Sequence, residues 1–411
     1  MRDETFLSSW QQCRFDSVAR VISGKNQRDV ECPSGPYPIY GSGGAFGKST
    51  GYLCEAGTIV IGRKGTINSP IFVNERFWNV DTAFGLCPID SNALLPLFLY
   101  YFCRGFNFAK LDKSTTIPSL AKRDIEAINF PLPPLAEQKR ILAKIEELFS
   151  ELDAGEESLR VARRQLGVYR QSLLKQAFEG KLNGGWRTLK VGEIGRIETG
   201  TTPPTANPKN YDGDLPFFKP TDLEQGRFVR KAREHLSEAG QEHARILPKG
   251  SVLVTCIGAT IGKTGLSQLP CATNQQINSI SPNDEVLPEF AYYQVISPRF
   301  QEQIKTNASS TTLPILNKSK FCVLPFVVCS LPEQHEIIRL LDEQFEVIER
   351  NEREIDAALR RSEALRQAIL KKAFTGQLVP QDPDDEPARV LLARLRAQKQ
   401  PEPIRQSKKN A

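Results

Sequence analysis

Residues 134–182 read PLAEQKRILAKIEELFSELDAGEESLRVARRQLGVYRQSLLKQAFEGKL, and residues 330–378 read SLPEQHEIIRLLDEQFEVIERNEREIDAALRRSEALRQAILKKAFTGQL. The stretches have equal length and matching ends: Leu135-AEQ answers Leu331-PEQ, and Ala177-FEGKL answers Ala373-FTGQL, both at an offset of 196. Between those ends, apolar side chains recur in steps of four and three. The first copy gives Ile141, Ile145, Leu148, Leu152, Gly155, Leu159, Ala162, Leu166, Tyr169 and Leu173. The second gives Ile337, Leu341, Ile348, Ile355, Ser362, Leu365 and Ile369, interrupted by polar Gln344, Asn351 and Ser362 itself. A period of 3.5 held over several turns is the pattern of a coiled-coil seam. Pro131, Pro133 and Pro134 stop whatever precedes, and no proline returns until Pro203. A helix from about Leu135 to Phe178 is expected, roughly 65 Å long at 1.5 Å per residue.

Charge dictates how two such helices pair. Residues 131–159 hold three Lys/Arg against seven Asp/Glu, and 160–181 hold six against one. Residues 330–356 hold three against nine, and 357–381 hold five against one. Each helix is therefore acidic at its start and basic at its end, which suits its own macrodipole. Parallel pairing sets like against like, whereas antiparallel pairing sets acidic halves against basic ones.

The helices are the second half of a longer repeat. Trp10 to Gly24 aligns with Trp186 to Gly200 at an offset of 176, Gly57-TIVIGRKGTIN with Gly250-SVLVTCIGATIG at 193, and Ser114-TTIPSLAK with Ser310-TTLPILNK at 196. The drift places about 17 extra residues of the second copy between Gly200 and Gly250, three more before Ser310, and none after it. The first part of each unit is rich in Gly, Pro, Asn and short β-branched runs, the signature of short strands and loops. The expected organisation is a β-rich domain over 1–130, a helical spacer and linker over 131–185, a second β-rich domain over 186–329, a helical spacer over 330–381, and a tail over 382–411. That tail carries a short amphipathic helix, Ala388-RVLLARLRAQK, either a docking segment or a local lid. The fold class is α+β: two strand-rich domains separated by two long antiparallel coiled-coil helices, with a pseudo-twofold internal repeat.

Catalytic chemistry is not evident. The 411 residues include three histidines, His235, His243 and His335, none with a neighbour at metal-ligand spacing, and the nine cysteines nowhere form Cys-x-x-Cys. Gly258-ATIGKTG approaches a phosphate loop but has three residues between its glycines where four are needed. No apolar run of about 18 residues and no export signal stands out, so a cytoplasmic location without a membrane partner is expected. The net charge of +6 permits a polyanionic partner.

Two variable β-rich domains alternate with two length-locked helices, each entered through Leu-x-Glu-Gln and left through Lys-x-Ala-Phe-x-Gly-x-Leu, from Lys175 and from Lys371. With the tail Val379-PQDPDDEPA, this resembles the specificity subunit of type I restriction-modification systems. The resemblance implies a DNA reader that is itself catalytically inert, each β-rich target recognition domain reading one half of a split double-stranded site. It also implies docking of two modification subunits on the helices and, through them, restriction subunits that translocate DNA. S-adenosylmethionine, ATP and magnesium would sit on those partners and none on this chain. The competing reading is a coiled-coil scaffold with two protein-binding heads.

Base-edge contacts carry sequence information and phosphate contacts carry affinity. The candidate DNA-binding residues in the first copy are Arg63, Lys64 and Thr66, with Ser114, Thr115 and Thr116 for phosphates. In the second copy they are Lys219, Thr260, Lys263, Asn274, Gln275 and Gln276, with Ser310, Thr311 and Thr312 for phosphates. Phe149, Phe178, Phe345 and Phe374 exceed what a two-helix seam can bury and are expected to contact partner subunits.

Overall fold

The computed structural model describes residues 9–179, 185–309 and 313–398. The chain divides into two compact units, Met1–Ser158 with Ala358–Ala411, and Leu159–Ala357. Each takes in one β-rich segment and half of each long helix.

In the first unit the strands are β1 (Gln11–Arg14), β2 (Ala19–Ser23), β3 (Tyr37–Gly41), β4 (Gly44–Ser49), β5 (Thr58–Gly62), β6 (Ile71–Val73), β7 (Trp78–Asn79), β8 (Ala83–Pro88) and β9 (Asn129–Leu132). They form an antiparallel sheet in the order β2-β8-β5-β6, a three-stranded sheet β4-β3-β7, and the pair β1-β9. Helices α1 (Pro96–Gly105) and α2 (Lys122–Glu126) precede the long helix α3 (Leu135–Glu179). Strand β5 is buried along its whole length because both faces of its sheet are covered. Side chains alternate across a strand: Ile59 and Ile61 enter the cluster with Phe98, Leu99 and Phe130, whereas Val60 joins Cys54, Val73 and Phe77 on the other face.

The second unit repeats this plan. Its strands are β10 (Arg187–Lys190), β11 (Gly195–Thr199), β12 (Tyr211–Phe218), β13 (Phe228–Val229), β14 (Glu234–Leu236), β15 (Val252–Thr255), β16 (Thr264–Ser267), β17 (Ala272–Thr273), β18 (Ile277–Pro282) and β19 (Pro325–Val328). The sheet orders are β11-β18-β15-β16-β13, β14-β12-β17 and β10-β19. Strand for strand this is the first unit's topology, including one parallel pair in each three-stranded sheet, β3 with β7 and β12 with β17. The extra edge strand β13 falls in the insertion located by the drift of the repeat. Helices α4 (Glu238–Gln241), α5 (Pro288–Val295), α6 (Pro298–Asn307) and α7 (Lys318–Cys322) precede the second long helix, α8 (Leu331–Phe374).

The long helices have 45 and 44 residues, and their pairing follows the charge pattern. In the first unit Arg366 of α8 bonds Asp153 at 2.7 Å and Glu156 at 3.0 Å on α3. In the second unit Arg163 bonds Asp356 at 2.7 Å and Arg170 bonds Glu352 at 3.3 Å. Basic C-terminal halves meet acidic N-terminal halves, so the helices run antiparallel. Arg366–Glu156 and Arg170–Glu352 are the same contact at the repeat offset.

The seam departs from the expected pattern in both units. Leu365 is 52% exposed, and the inward positions belong to Ser362 and Arg366. Arg366 stays inside because two carboxylates neutralise it and its guanidinium lies 5.1 Å from the Phe149 ring centroid. Gly155 and Tyr169 are exposed as well. Burial is heaviest where a β-rich domain covers the helices: Ile141, Ile145 and Phe149 in one core, and Leu174, Phe178, Leu341, Phe345 and Ile348 in the other.

This covering corrects the reading of the four phenylalanines as partner contacts. Phe149 packs edge-on to Tyr101 at 5.7 Å, Phe374 to Phe98 at 5.1 Å, Phe178 to Phe290 at 5.3 Å and Phe345 to Tyr293 at 5.4 Å. The apolar excess beyond the seam is absorbed by the chain's own domains, which a periodicity argument treating the helices alone could not anticipate. Helix α9 (Ala388–Gln398) is likewise local, burying Ala388, Leu391, Leu392 and Leu395 in the first unit's core.

The structure also explains the Leu-x-Glu-Gln entry motif. The Gln138 side chain is fully buried; its Nε2 donates to the carbonyls of Ala93 (2.9 Å) and Pro133 (3.2 Å), and its Oε1 accepts from the Leu95 amide (3.0 Å). Gln334 repeats this with Glu285 (2.8 Å), Cys329 (2.9 Å) and the Leu287 amide (2.9 Å). Each glutamine satisfies both the loop entering the short domain helix and the loop entering the long one. Domain and spacer are thereby joined by a side chain with both donor and acceptor, which Glu or Leu cannot replace.

Candidate nucleic-acid interface

The loop after β5 is shaped by glycine. A Cβ on Gly62 would lie 2.1 Å from the Thr66 carbonyl oxygen, and Gly65 has φ +79°, so Arg63 to Thr66 form a tight exposed turn. The Gly65 amide donates to the Pro118 carbonyl (2.9 Å) and the Leu120 amide to the Arg63 carbonyl (2.9 Å). This stitches the segment after Ser114–Thr116 against the Arg63 turn. Asp112 organises that loop, accepting from the Ser114 amide (3.0 Å), the Ser114 hydroxyl (2.6 Å) and the Ser119 amide (3.0 Å). These donors, the Ser114 hydroxyl foremost, hold the Asp112 carboxyl below the usual carboxylate range. Ser114 is thus committed to its own loop, while Thr115 and Thr116 are exposed beside it. The Arg63 guanidinium touches the Asp81 carbonyl (3.4 Å) and lies 5.7 Å from the Phe84 ring centroid.

The second unit repeats the stitch. The Gly258 amide donates to the Pro314 carbonyl (2.9 Å) and the Leu316 amide to the Cys256 carbonyl (2.8 Å). Strand β16 follows directly at Thr264, with no helix to present its N-terminus to a phosphate. Thr260 is exposed. Lys263 pairs with Glu224 at 3.0 Å, and Lys219 pairs with Glu234 at 2.5 Å while lying 5.7 Å from the Phe217 ring centroid.

Asn274 is buried: its Nδ2 donates to Gln276 Oε1 (2.9 Å) and its Oδ1 accepts from the Gln276 amide (3.2 Å). The residue expected to read adenine therefore builds the turn that presents Gln275. Gln275 is exposed and accepts from the Thr202 hydroxyl at 2.5 Å. The amide of Asn274 donates to the Phe218 carbonyl (3.2 Å) and that of Cys256 to the Gln276 carbonyl (2.7 Å). These bonds bring Lys219, the 274–276 turn and the 256–263 loop into one neighbourhood. Ser310, Thr311 and Thr312 lie outside the described residues.

Sequence reasoning missed Arg227, whose Nη1 donates to the Tyr293 hydroxyl (2.8 Å) and to Asp342 (2.5 Å). It lines an open cleft of about 970 Å3 with Arg170, Arg230 and Glu349. Arg227 stands in the insertion, where the repeat offers no counterpart to compare. Among the described residues no group of His, Cys, Asp or Glu is placed to hold a metal ion, and no helix is long and apolar enough to cross a membrane.

A duplicated α+β unit, each copy presenting one turn and one stitched loop, gives the chain two copies of one candidate binding surface. The chain belongs to the type I restriction modification DNA specificity domain family, whose model matches it twice, over residues 8–159 and 183–360. It is 25% identical over 453 aligned positions to the type I restriction enzyme EcoBI specificity subunit of Escherichia coli, covering 95% of this chain and 92% of that one. One similar solved chain, from a study of complex assembly and conformational transition of the type I R-M system, superposes with a TM-score of 0.73 at 21% identity, covering 91% of this chain and all (100%) of that one. The HsdS subunit of Thermoanaerobacter tengcongensis superposes at 0.53 with 20% identity, covering 91% and 98%. The chain is thus a DNA-binding specificity subunit of the type I restriction-modification class.

Proposed function

We infer that this chain reads a split, asymmetric DNA site, one half with each β-rich domain, and directs modification and restriction subunits to it. The observation that carries this is the double match of a DNA specificity domain to two segments with the same strand order. Two readers on one chain need two half-sites. The near balance of charge, 14 Lys/Arg against 12 Asp/Glu over residues 1–130 and 16 against 13 over 186–329, suits readers whose partners supply much of the phosphate grip. On this reading the chain catalyses nothing and binds no cofactor. S-adenosylmethionine belongs to two modification subunits docked on the helices, and ATP with magnesium to restriction subunits that translocate DNA.

The test separates readers from spacer. The two units divide at residues 158/159 on α3 and 357/358 on α8. Inserting one heptad at both points preserves the seam phase and lengthens each helix by about 10 Å. At about 3.4 Å per base pair, the gap between half-sites should grow by about three base pairs with both half-site sequences unchanged. Exchanging residues 1–130 for the matching domain of another family member should change one half-site and leave the gap alone. Methylome sequencing of cells carrying each variant with its partner subunits reads both quantities, and an insertion that altered a half-site sequence would overturn the reading.

A further inference from the structure

The hairpin of β3 and β4 carries a feature that the site described above does not use. Its tip is Gly41-Ser42-Gly43-Gly44, with Gly41 paired to Gly44 and φ of +115° at Gly44. Next to the tip the register shifts: Ile39 faces Gly47, but Tyr40 faces Ala45, so Phe46 has no opposite residue. That is a β-bulge, a device that turns one side chain out of the ladder. Phe46 is 59% exposed, among the most exposed large apolar residues described in the chain. Beside it lies a groove of about 480 Å3 lined by Gln27, Gly41–Phe46 and Val80–Thr82. Apart from the ring its walls are mostly small side chains, which lets a bulky ligand come close to the backbone.

The hairpin tip abuts the Arg63 turn, since a Cβ on Gly62 would sit 3.0 Å from Ser42 Cβ. Exposed Arg63 and Lys64 therefore stand on one side of the tip, and exposed Lys48 follows two residues after Phe46 on the same strand. Two acids lie nearby, Asp81, whose main-chain carbonyl accepts from Arg63, and Glu31, whose Oε1 would lie 3.7 Å from a Cβ on Gly47, so the three cations Lys48, Arg63 and Lys64 outnumber them. An aromatic ring turned outward on a small-residue tip and flanked by cations matches the chemistry of stacked bases edged by phosphates.

We propose that Phe46 is a base-contacting residue of the first β-rich domain, its ring entering a base step of that domain's half-site as an apolar wedge while Arg63 and Lys64 hold the adjoining phosphates. This rests on the DNA reading above. A wedge contributes affinity without neutralising charge, so its removal weakens binding but leaves the salt dependence alone, whereas removing a phosphate contact lowers the log-salt slope by about one.

The experiment uses the full chain assembled with its modification subunits and duplexes carrying its own methylated site, with 2-aminopurine placed at successive positions of each half-site. Phe46→Ala should weaken specific binding about tenfold to 100-fold with an unchanged salt slope, and should abolish the fluorescence rise that the wild-type complex produces at one step of one half-site. Phe46→Trp should restore both signals, and Lys64→Ala should lower the salt slope. The exposed position predicts unchanged amide exchange across β3 and β5 for every Phe46 variant. Binding of Phe46→Ala within threefold of wild type overturns the proposal. So does a fall in its salt slope, or loss of the modification subunits on gel filtration, which would make the ring a protein contact. A wild-type complex that binds no duplex would instead bring down the DNA reading itself, so the two failures are distinguishable.

Discussion

Replacing Gln138 by alanine removes three hydrogen bonds at once, to Ala93, Pro133 and Leu95. Each is worth about 1 kcal/mol net when simply lost, and about 1–3 kcal/mol where a buried backbone group is left without a partner. Water can enter part of the space vacated, so the expected cost is about 3–6 kcal/mol, a large share of a domain's usual 5–15. Because the chain has two units, a single melting temperature is not a clean measure. Amide hydrogen exchange read at Leu95, with Leu287 as the internal control held by Gln334, separates them. Gln138→Ala should speed exchange at Leu95 by about 10²- to 10⁴-fold and leave Leu287 unchanged, and Gln334→Ala should do the reverse. Gln138→Glu is sharper still. Its second oxygen would face two carbonyl oxygens and, only when protonated, could donate to one of them, so its folded pKa must lie above the unfolded value of about 4.3. That variant should be most stable below about pH 4, still about 1–3 kcal/mol short of wild type for the carbonyl left without a donor, and lose stability as pH rises through the folded pKa. Acceleration at Leu95 of less than tenfold, or a Gln138→Glu variant equally stable at pH 4 and 8, would refute the account of the motif.

Three further outcomes follow from the packing. Phe374→Asp, which removes a ring packed edge-on to Phe98 and Phe102, should cost the chain at least about 3 kcal/mol with no partner present, whereas Phe374→Leu should cost less than about 1.5; urea unfolding of the free chain checks both, and an unaffected free chain with impaired assembly would restore the partner reading. Arg366→Ala removes a guanidinium that is 8% exposed and pairs with both Asp153 and Glu156, and should cost about 2–3 kcal/mol, while its repeat mate Arg170→Ala, in a pair about 30% exposed, should cost about 1 kcal/mol; exchange resolved by unit distinguishes them. Glu137 is fully buried and burial pushes its carboxyl up, against the opposing hydrogen bond from the Trp10 indole; a raised folded pKa means stability is lost as pH rises through it, so Glu137→Gln should flatten the decline above the ordinary glutamate range in a series of urea midpoints against pH.

What the sequence made legible is what repetition and periodicity encode. The two helices, their antiparallel sense and the shared topology of the β-rich domains follow from spacing and charge that local residues carry themselves. The residues misplaced are those whose environment is set by segments distant in sequence. Leu365 sits on the expected stripe, yet Arg366 is buried, because the acids that neutralise it lie about 210 residues away on α3. Asn274 carries the right donor and acceptor for adenine, and the same pair closes its own turn with Gln276 two residues on, a competition that short polar side chains often settle locally. Phe46 was overlooked for the opposite reason, since a lone aromatic between Ala45 and Gly47 has no period to reveal it and only the register shift shows that it points outward.

The same contrast explains why function was easier to read than contact residues. A family of readers that differ in what they read must keep what joins reader to spacer and vary what faces the target. Gln138 and Gln334 occupy the junction and are the same residue with the same three bonds. The surfaces beside the stitched loops differ: a glycine-tipped hairpin with Phe46 in the first unit, and an insertion with Lys219, Arg227 and β13 in the second. Two domains built alike at the junction and unlike at the face suit the asymmetric split site proposed above, because identical faces on an internal repeat would read the same bases twice.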